Sequence, residues 1–171
     1  MRKPPQKPVL LGMNNPLSRD PHYALANFPE RCTGWRLWRM IVEAMEHDGL
    51  APMSRLDYMT RYDRRNVLNG VIWNMALAKE AGAELAPKLA DRVVVLCGVQ
   101  TLEAMRLTRP SDWCSWVEGE PQGSLLAAQD RSFKYALIPH PSGRCREYND
   151  PALKLKVGRL LLDVLQDAEV G

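Results

Sequence analysis

The sequence predicts an α/β domain built on a mostly parallel sheet. Short, continuous apolar runs at VLLGM (9–13), DRVVVLC (91–97) and YALIP (135–139) read as strands buried on both faces. Segments with apolar residues at helical spacing separate them, the alternation that gives parallel pairing. Asn14, Gly98 and His140 each stand at or just past the end of one of these runs. In open α/β sheets ligands collect beyond the carboxyl ends of the strands, so residues far apart in sequence are expected to meet on one rim.

The elements follow in order. MRKPPQKP is basic and proline-rich, which predicts a flexible arm over 1–8 and a single domain over 9–171. After the first strand, Asn, Pro, Ser and Asp punctuate a loop over 14–33. Trp35, Trp38, Ile41, Val42 and Met45 recur at helical spacing before Gly49 and predict a helix over 34–48, with both tryptophans in the core. Val71, Ile72, Met75 and Ala78 predict a second helix over 70–81, ending near Gly82. Gly98 opens a third over 99–107, and 108–123 reads as loop. Trp113 and Trp116 in that loop are expected to pack beneath it, base stacking being the other use of such residues. Asp150-Pro151 is a cap followed by a first-turn proline. It starts a terminal helix whose apolar face runs through Leu153, Val157, Leu160, Leu161, Val164 and Leu165.

Composition bounds the function. Of 171 residues, 46% are hydrophobic and 25% charged, ordinary for one globular domain. The net charge of +3 is compatible with a nucleic-acid partner. It is concentrated in RKPPQK, in TRYDRR at 60–65 and in GRCR at 143–146. No apolar run approaches the roughly 20 residues that cross a bilayer, and no secretory leader is visible, so a cytoplasmic protein without a membrane partner is expected. Cys32, Cys97, Cys114 and Cys145 are scattered without a C-x-x-C pair. That predicts free thiols, and neither a metal site nor any cofactor is expected. No G-x-S-x-G or phosphate-binding glycine loop points to an unrelated hydrolase or nucleotide enzyme.

Two segments combine residues suited to chemistry. In LLGMNNP (10–16) a strand ends on a glycine, which allows close backbone approach, and on an asparagine able to hold a water or a base edge. In IPHPSGR (138–144) prolines on both sides of His140 fix the backbone, Ser142 and Gly143 keep the next turn small, and Arg144 projects from it.

Together these motifs resemble the uracil-DNA glycosylase superfamily. GMN at 12–14 is similar to the first motif of its single-strand-selective monofunctional and mismatch-specific branches, and HPSGR at 140–144 to its second. VVVLCG at 93–98 fits a further strand. The resemblance spans roughly 9–165, although only the motif segments are specific. It implies a three-layer α/β/α fold with a central, mostly parallel, four-stranded sheet, and a monomeric, metal-free enzyme acting on a flipped-out pyrimidine in DNA. By the same resemblance Asn14 would position the attacking water and His140 would stabilise charge on the departing base. Met13, Phe28 and Asn66 would bind that base, with Tyr23 and Asn69 as substitutes for the last two. Ser142 and Gly143 would meet the DNA backbone, and Arg144 would fill the gap in the stack. Arg61, Arg64 and Arg65 suit phosphate contacts equally with a solvated face, and His22 stands near enough to the first motif to help. His47 reads as a helix-end surface residue.

Two positions depart from the family pattern. Asn15 stands where proline is common, and Pro16 where uracil-selective members carry a tyrosine against 5-substituted pyrimidines. The substrate gate at Asn15 and Pro16 is therefore expected to admit uracil or a 5-modified or hypermodified pyrimidine, in base excision repair or in defence against phage DNA. The alternative is a DNA- or nucleotide-binding protein on the same fold that leaves the glycosidic bond intact.

Overall fold

A computed structural model describes residues 5–119 and 132–170. Its elements run β1 (Val9–Asn15), α1 (Thr33–His47), α2 (Arg55–Arg61), β2 (Asp63–Asn69), α3 (Met75–Leu85), β3 (Val93–Cys97), α4 (Val99–Ala104), β4 (Trp116–Gly119), β5 (Phe133–Ile138) and α5 (Pro151–Val170). The sheet order is β2-β1-β3-β5-β4. All neighbours pair in parallel except β4, which lies antiparallel on the β5 edge. The sheet thus has five strands rather than the expected four. The extra one, WVEG, is only four residues long and sits in the segment expected as loop, where proline, serine and glycine mask its pattern. Positions 1–4 of the arm and 120–123 of that loop lie outside the described residues. The described end of the arm is tied down: the Lys7 carbonyl accepts from Arg92 and the Pro8 carbonyl from the Asp63 amide.

Alternation along the buried strands builds two cores. Leu10, Val95, Ala136 and Ile138 face α1 and α5 and pack with Leu37, Ile41, Val157 and Leu161. Val9, Leu11, Val94, Leu96 and Leu137 face the other way, onto Ala78 of α3, Leu102 of its neighbour α4 and Met105 just after it. Helices on both faces explain why these strands read as continuous apolar runs.

Local chemistry corrects several boundaries. Asn74 caps α3 by accepting from the Leu77 amide at 3.0 Å, so the helix begins at Met75 instead of 70 and continues to Leu85. Val71 and Ile72 are left on the surface, Ile72 at 83% exposure. The third helix stops at Ala104 rather than 107. Helix α2 was not foreseen, though Ser54 caps it through the Asp57 amide at 3.0 Å and Asp57 supplies the first-turn acid, a recognisable start signal. Trp35 and Trp38 are half-buried, Trp38 packing against the first core: its indole donates to the Met53 carbonyl at 2.9 Å, and the Arg55 guanidinium lies 5.1 Å over its ring.

The two faces of the fold predict contrasting mutants. Leu161→Ala removes a fully buried side chain from the α1/α5 core and is expected to cost about 2–5 kcal/mol in urea unfolding. Leu17→Ala, at 93% exposure, is expected to change stability by less than about 0.5 kcal/mol.

Candidate functional site

Parallel pairing carries the ends of β1, β2, β3 and β5 to one edge of the sheet. The chain runs from β1 to β2 on one side, then crosses to β3 on the other side of β1, making a switch point of the kind where such folds bind ligands. A cavity of about 680 Å³ opens there. Its walls include Met13, Asn14, Asn15 and Pro16 from the end of β1, Phe28 from the following loop, Asn66 from β2 and His140 from beyond β5. Residues over a hundred positions apart therefore share one pocket, as the strand-end argument predicts.

Each side chain is held by a nameable constraint. The Asn14 Nδ2 donates to the Val71 carbonyl at 2.9 Å. A carbonyl only accepts, so this contact fixes the amide's orientation and leaves Oδ1 as the acceptor on the other side. The Asn15 Oδ1 accepts from the Leu17 amide at 3.1 Å, closing a small side-chain turn where a proline would have bent the chain. Asn66 is 8% exposed and lies in register with Gly12 across the β1–β2 ladder. A Cβ built at position 12 would stand 2.5 Å from the Asn66 Oδ1, so the missing side chain is what makes room for that amide. Phe28 and Tyr23 meet edge-to-face with centroids 6.1 Å apart, and both line the cavity at just under half exposure.

His140 rests against the turn after β3. Gly98 has φ +91, and a Cβ there would lie 2.9 Å from the His140 Cβ, so both the backbone conformation and the contact demand glycine. The Gly98 amide donates to the Ile138 carbonyl at 2.9 Å, and the Tyr148 hydroxyl donates to the Pro139 carbonyl at 2.6 Å, fixing the approach to the histidine from both sides. Burial pushes the imidazole below its ordinary value of 6.5, so the ring is neutral at pH 7.

Sequence reasoning passed over one wall. Cys32, Thr33 and Gly34 at the start of α1 line the cavity. The Cys32 Sγ caps the helix by accepting from the Trp35 amide at 3.4 Å and donates to the Ala26 carbonyl at 3.2 Å. The positive end of α1 therefore faces the pocket and favours negative charge there. Cysteine is an unusual N-cap, which is why the sequence carried no signal for it.

Other expected residues lie elsewhere. Ser142 and Gly143 border a neighbouring groove rather than the cavity, and Arg144 stands exposed on the same turn. Asn69 ends β2 in register with Asn15 but does not line the pocket, which leaves Asn66 as the amide that does. Arg64 and Arg65 belong to the start of β2, the opposite edge of the sheet. Arg64 donates to the carbonyls of His22 and Ala24 at 3.1 and 2.7 Å, and Arg65 grips Asp63 through two 3.0 Å bonds. Arg61 pairs with Glu169. These contacts engage all three arginines, and His22 borders a separate surface concavity beside Arg64. His47 ends α1 at the surface beside Asp48. Trp113 packs against both cores and Trp116 against one. The four cysteines are free thiols, with burial pushing Cys97 up to about 12 and Cys114 up to about 11. Among the described residues no group of His, Cys, Asp and Glu could hold a metal ion, and no helix is long and apolar enough to cross a membrane.

Two measurements probe this geometry. In an NMR titration His140 is expected to reach half-protonation below pH 6.5. Its folded value lies below the unfolded one, so the stability tied to the neutral ring is complete above about pH 6.5 and diminishes as the pH falls through the folded value. Gly98→Ala forces a Cβ into a positive-φ site against His140 and is expected to cost about 1–3 kcal/mol in chemical denaturation.

No protein-family model matches the chain, and no curated protein matches it in sequence.

Proposed function

We propose that the protein is a monofunctional DNA glycosylase that hydrolyses the N-glycosidic bond of a flipped-out pyrimidine. The observation that carries this reading is the meeting, in one cavity, of a fixed asparagine acceptor, a neutral histidine, a buried amide and an aromatic face. Each suits one demand of the reaction. The bond between the anomeric carbon and the base nitrogen breaks with its electron pair leaving on the base. Negative charge gathers on the pyrimidine oxygens, and an imidazole N–H of His140 stabilises it, helped by the positive end of α1. Asn14 accepts a hydrogen bond from the water that adds to the anomeric carbon, and the surplus proton passes to solvent. Phe28 stacks on the base and the Asn66 amide pairs with its edge. Duplex DNA hides the bond, so the nucleotide must be extruded, with Arg144 filling the vacated stack.

The substrate is uracil or a 5-modified pyrimidine. The position of the excluding tyrosine in uracil-selective relatives of the proposed family is Pro16, which is exposed at the cavity's edge. Such a specificity suits either base excision repair or defence against phage DNA carrying modified bases.

The test is incubation with oligonucleotides containing uracil, 5-hydroxymethyluracil, G·T mismatches or hypermodified pyrimidines, read as alkali-labile abasic sites. Cleavage of at least one substrate is expected, and His140→Ala is expected to lower the rate roughly 10²–10³-fold, with Asn14→Ala also strongly impaired. DNA binding without abasic product on any substrate would favour a non-hydrolytic binding protein. Unimpaired activity in both variants would overturn the residue assignment.

A further inference from the structure

The cavity does not stand alone. A second concavity of about 330 Å³ is lined by Trp35, Arg36, Ser142 and Gly143 among others. Two chain segments contribute to both. Thr33 and Gly34 line the cavity while Trp35 and Arg36 line the groove; His140 lines the cavity while Pro141 and Ser142 line the groove. A polymer strand with one unit in the cavity would therefore continue directly into the groove.

The groove is cationic. Its charged lining residues are Arg36, Arg39 and Lys154 against the single carboxylate of Glu43. Arg39 and Lys154 both approach that carboxylate, at 3.7 Å each, so one negative charge is shared between two cations. Arg36 pairs with no carboxylate of the described residues. Its Nε donates to the Arg31 carbonyl at 3.0 Å, and its guanidinium lies over Gly143, where a Cβ would come within 2.6 Å of a terminal nitrogen. The guanidinium is thus anchored at one edge, with its terminal N–H groups turned to the groove. A planar, unpaired fork of this kind matches the oxygens of a phosphate.

We propose that this groove seats the phosphodiester backbone of the strand whose base enters the cavity, with Arg36 as the main phosphate ligand and Arg39 and Lys154 as supporting cations. Gly143 is then small so that Arg36 can lie across the turn, giving that glycine a role beyond meeting the backbone itself. The inference rests on the cavity being a DNA-base site.

Neutralising a phosphate releases condensed counterions, so each contact adds to the salt dependence of binding: the slope of log K against log[salt] is about −0.9 per contact on B-DNA and about −0.7 on single strands. The experiment is fluorescence anisotropy of the full chain with labelled single-stranded and duplex oligonucleotides across a salt series. Arg36→Gln is expected to reduce the slope by close to one contact's worth, and the combined Arg36→Gln, Arg39→Gln, Lys154→Gln variant by two to three. Lys88→Gln, an exposed charge before β3 on the opposite edge, is expected to leave it unchanged. Glu43→Gln removes the groove's carboxylate and is expected to tighten binding, which keeps the proposal testable if the triple variant does not fold. Wild-type binding whose slope is unchanged in Arg36→Gln, with no gain in Glu43→Gln, would overturn the groove assignment while leaving the cavity reading intact. A wild type that binds no oligonucleotide would overturn the cavity reading and the groove with it.

Discussion

The pairing register of β1 with β2 is the constraint on which the cavity depends. Gly12 opposes Asn66 in that ladder, and the space a side chain would occupy at 12 is taken by the amide of 66. Side chains alternate faces along a strand, so a slip of β2 by one residue would turn Asn66 away from the pocket and toward α3. The register is held by the alternation in β2, where Asn66 lies on the cavity side and its neighbour Val67 packs into the α3/α4 core, so a slip would bury the amide among apolar side chains and expose the valine. Hydrophobic packing far from the pocket thereby fixes which polar groups reach it.

A second layer of constraints acts on the backbone beyond β5. Gly98 beneath the ring and Tyr148 behind Pro139 hold His140 between them. Neither contact touches an imidazole nitrogen, so the ring is positioned by shape while its nitrogens stay available. The same burial that keeps it neutral would strengthen any hydrogen bond it makes in the pocket. Position and protonation state thus share one physical origin.

The parts of the site that could be read in advance were those governed by short-range rules. Continuous apolar runs marked β1, β3 and β5, and parallel topology then required Asn14, Gly98 and His140 to share an edge. Asn66 and Phe28 entered through motif resemblance, and both line the cavity. Features decided by tertiary contact were not legible. The strand WVEG exists because β5 offers it an edge; on its own it is too short and too polar to declare itself. Arg64 and Arg65 resembled a phosphate-binding cluster, yet a nearby carboxylate and two free carbonyls claim them. Arg36 lay hidden inside an amphipathic helix, and only the approach of the 140s turn distinguishes it from Arg39 one position in three along the same face.

The hydrogen bond from Asn14 to Val71 has a chemical consequence. An amide presents a donor to one side and an acceptor to the other, whereas a carboxylate presents acceptors to both. Aspartate at position 14 would set an anionic oxygen against the Val71 carbonyl, and would either swing away or retain a proton. The lip of the pocket thus commits it to an uncharged residue that cannot act as a strong base. In the proposed hydrolysis, departure of the leaving group would come first, with water following onto a centre already short of electrons.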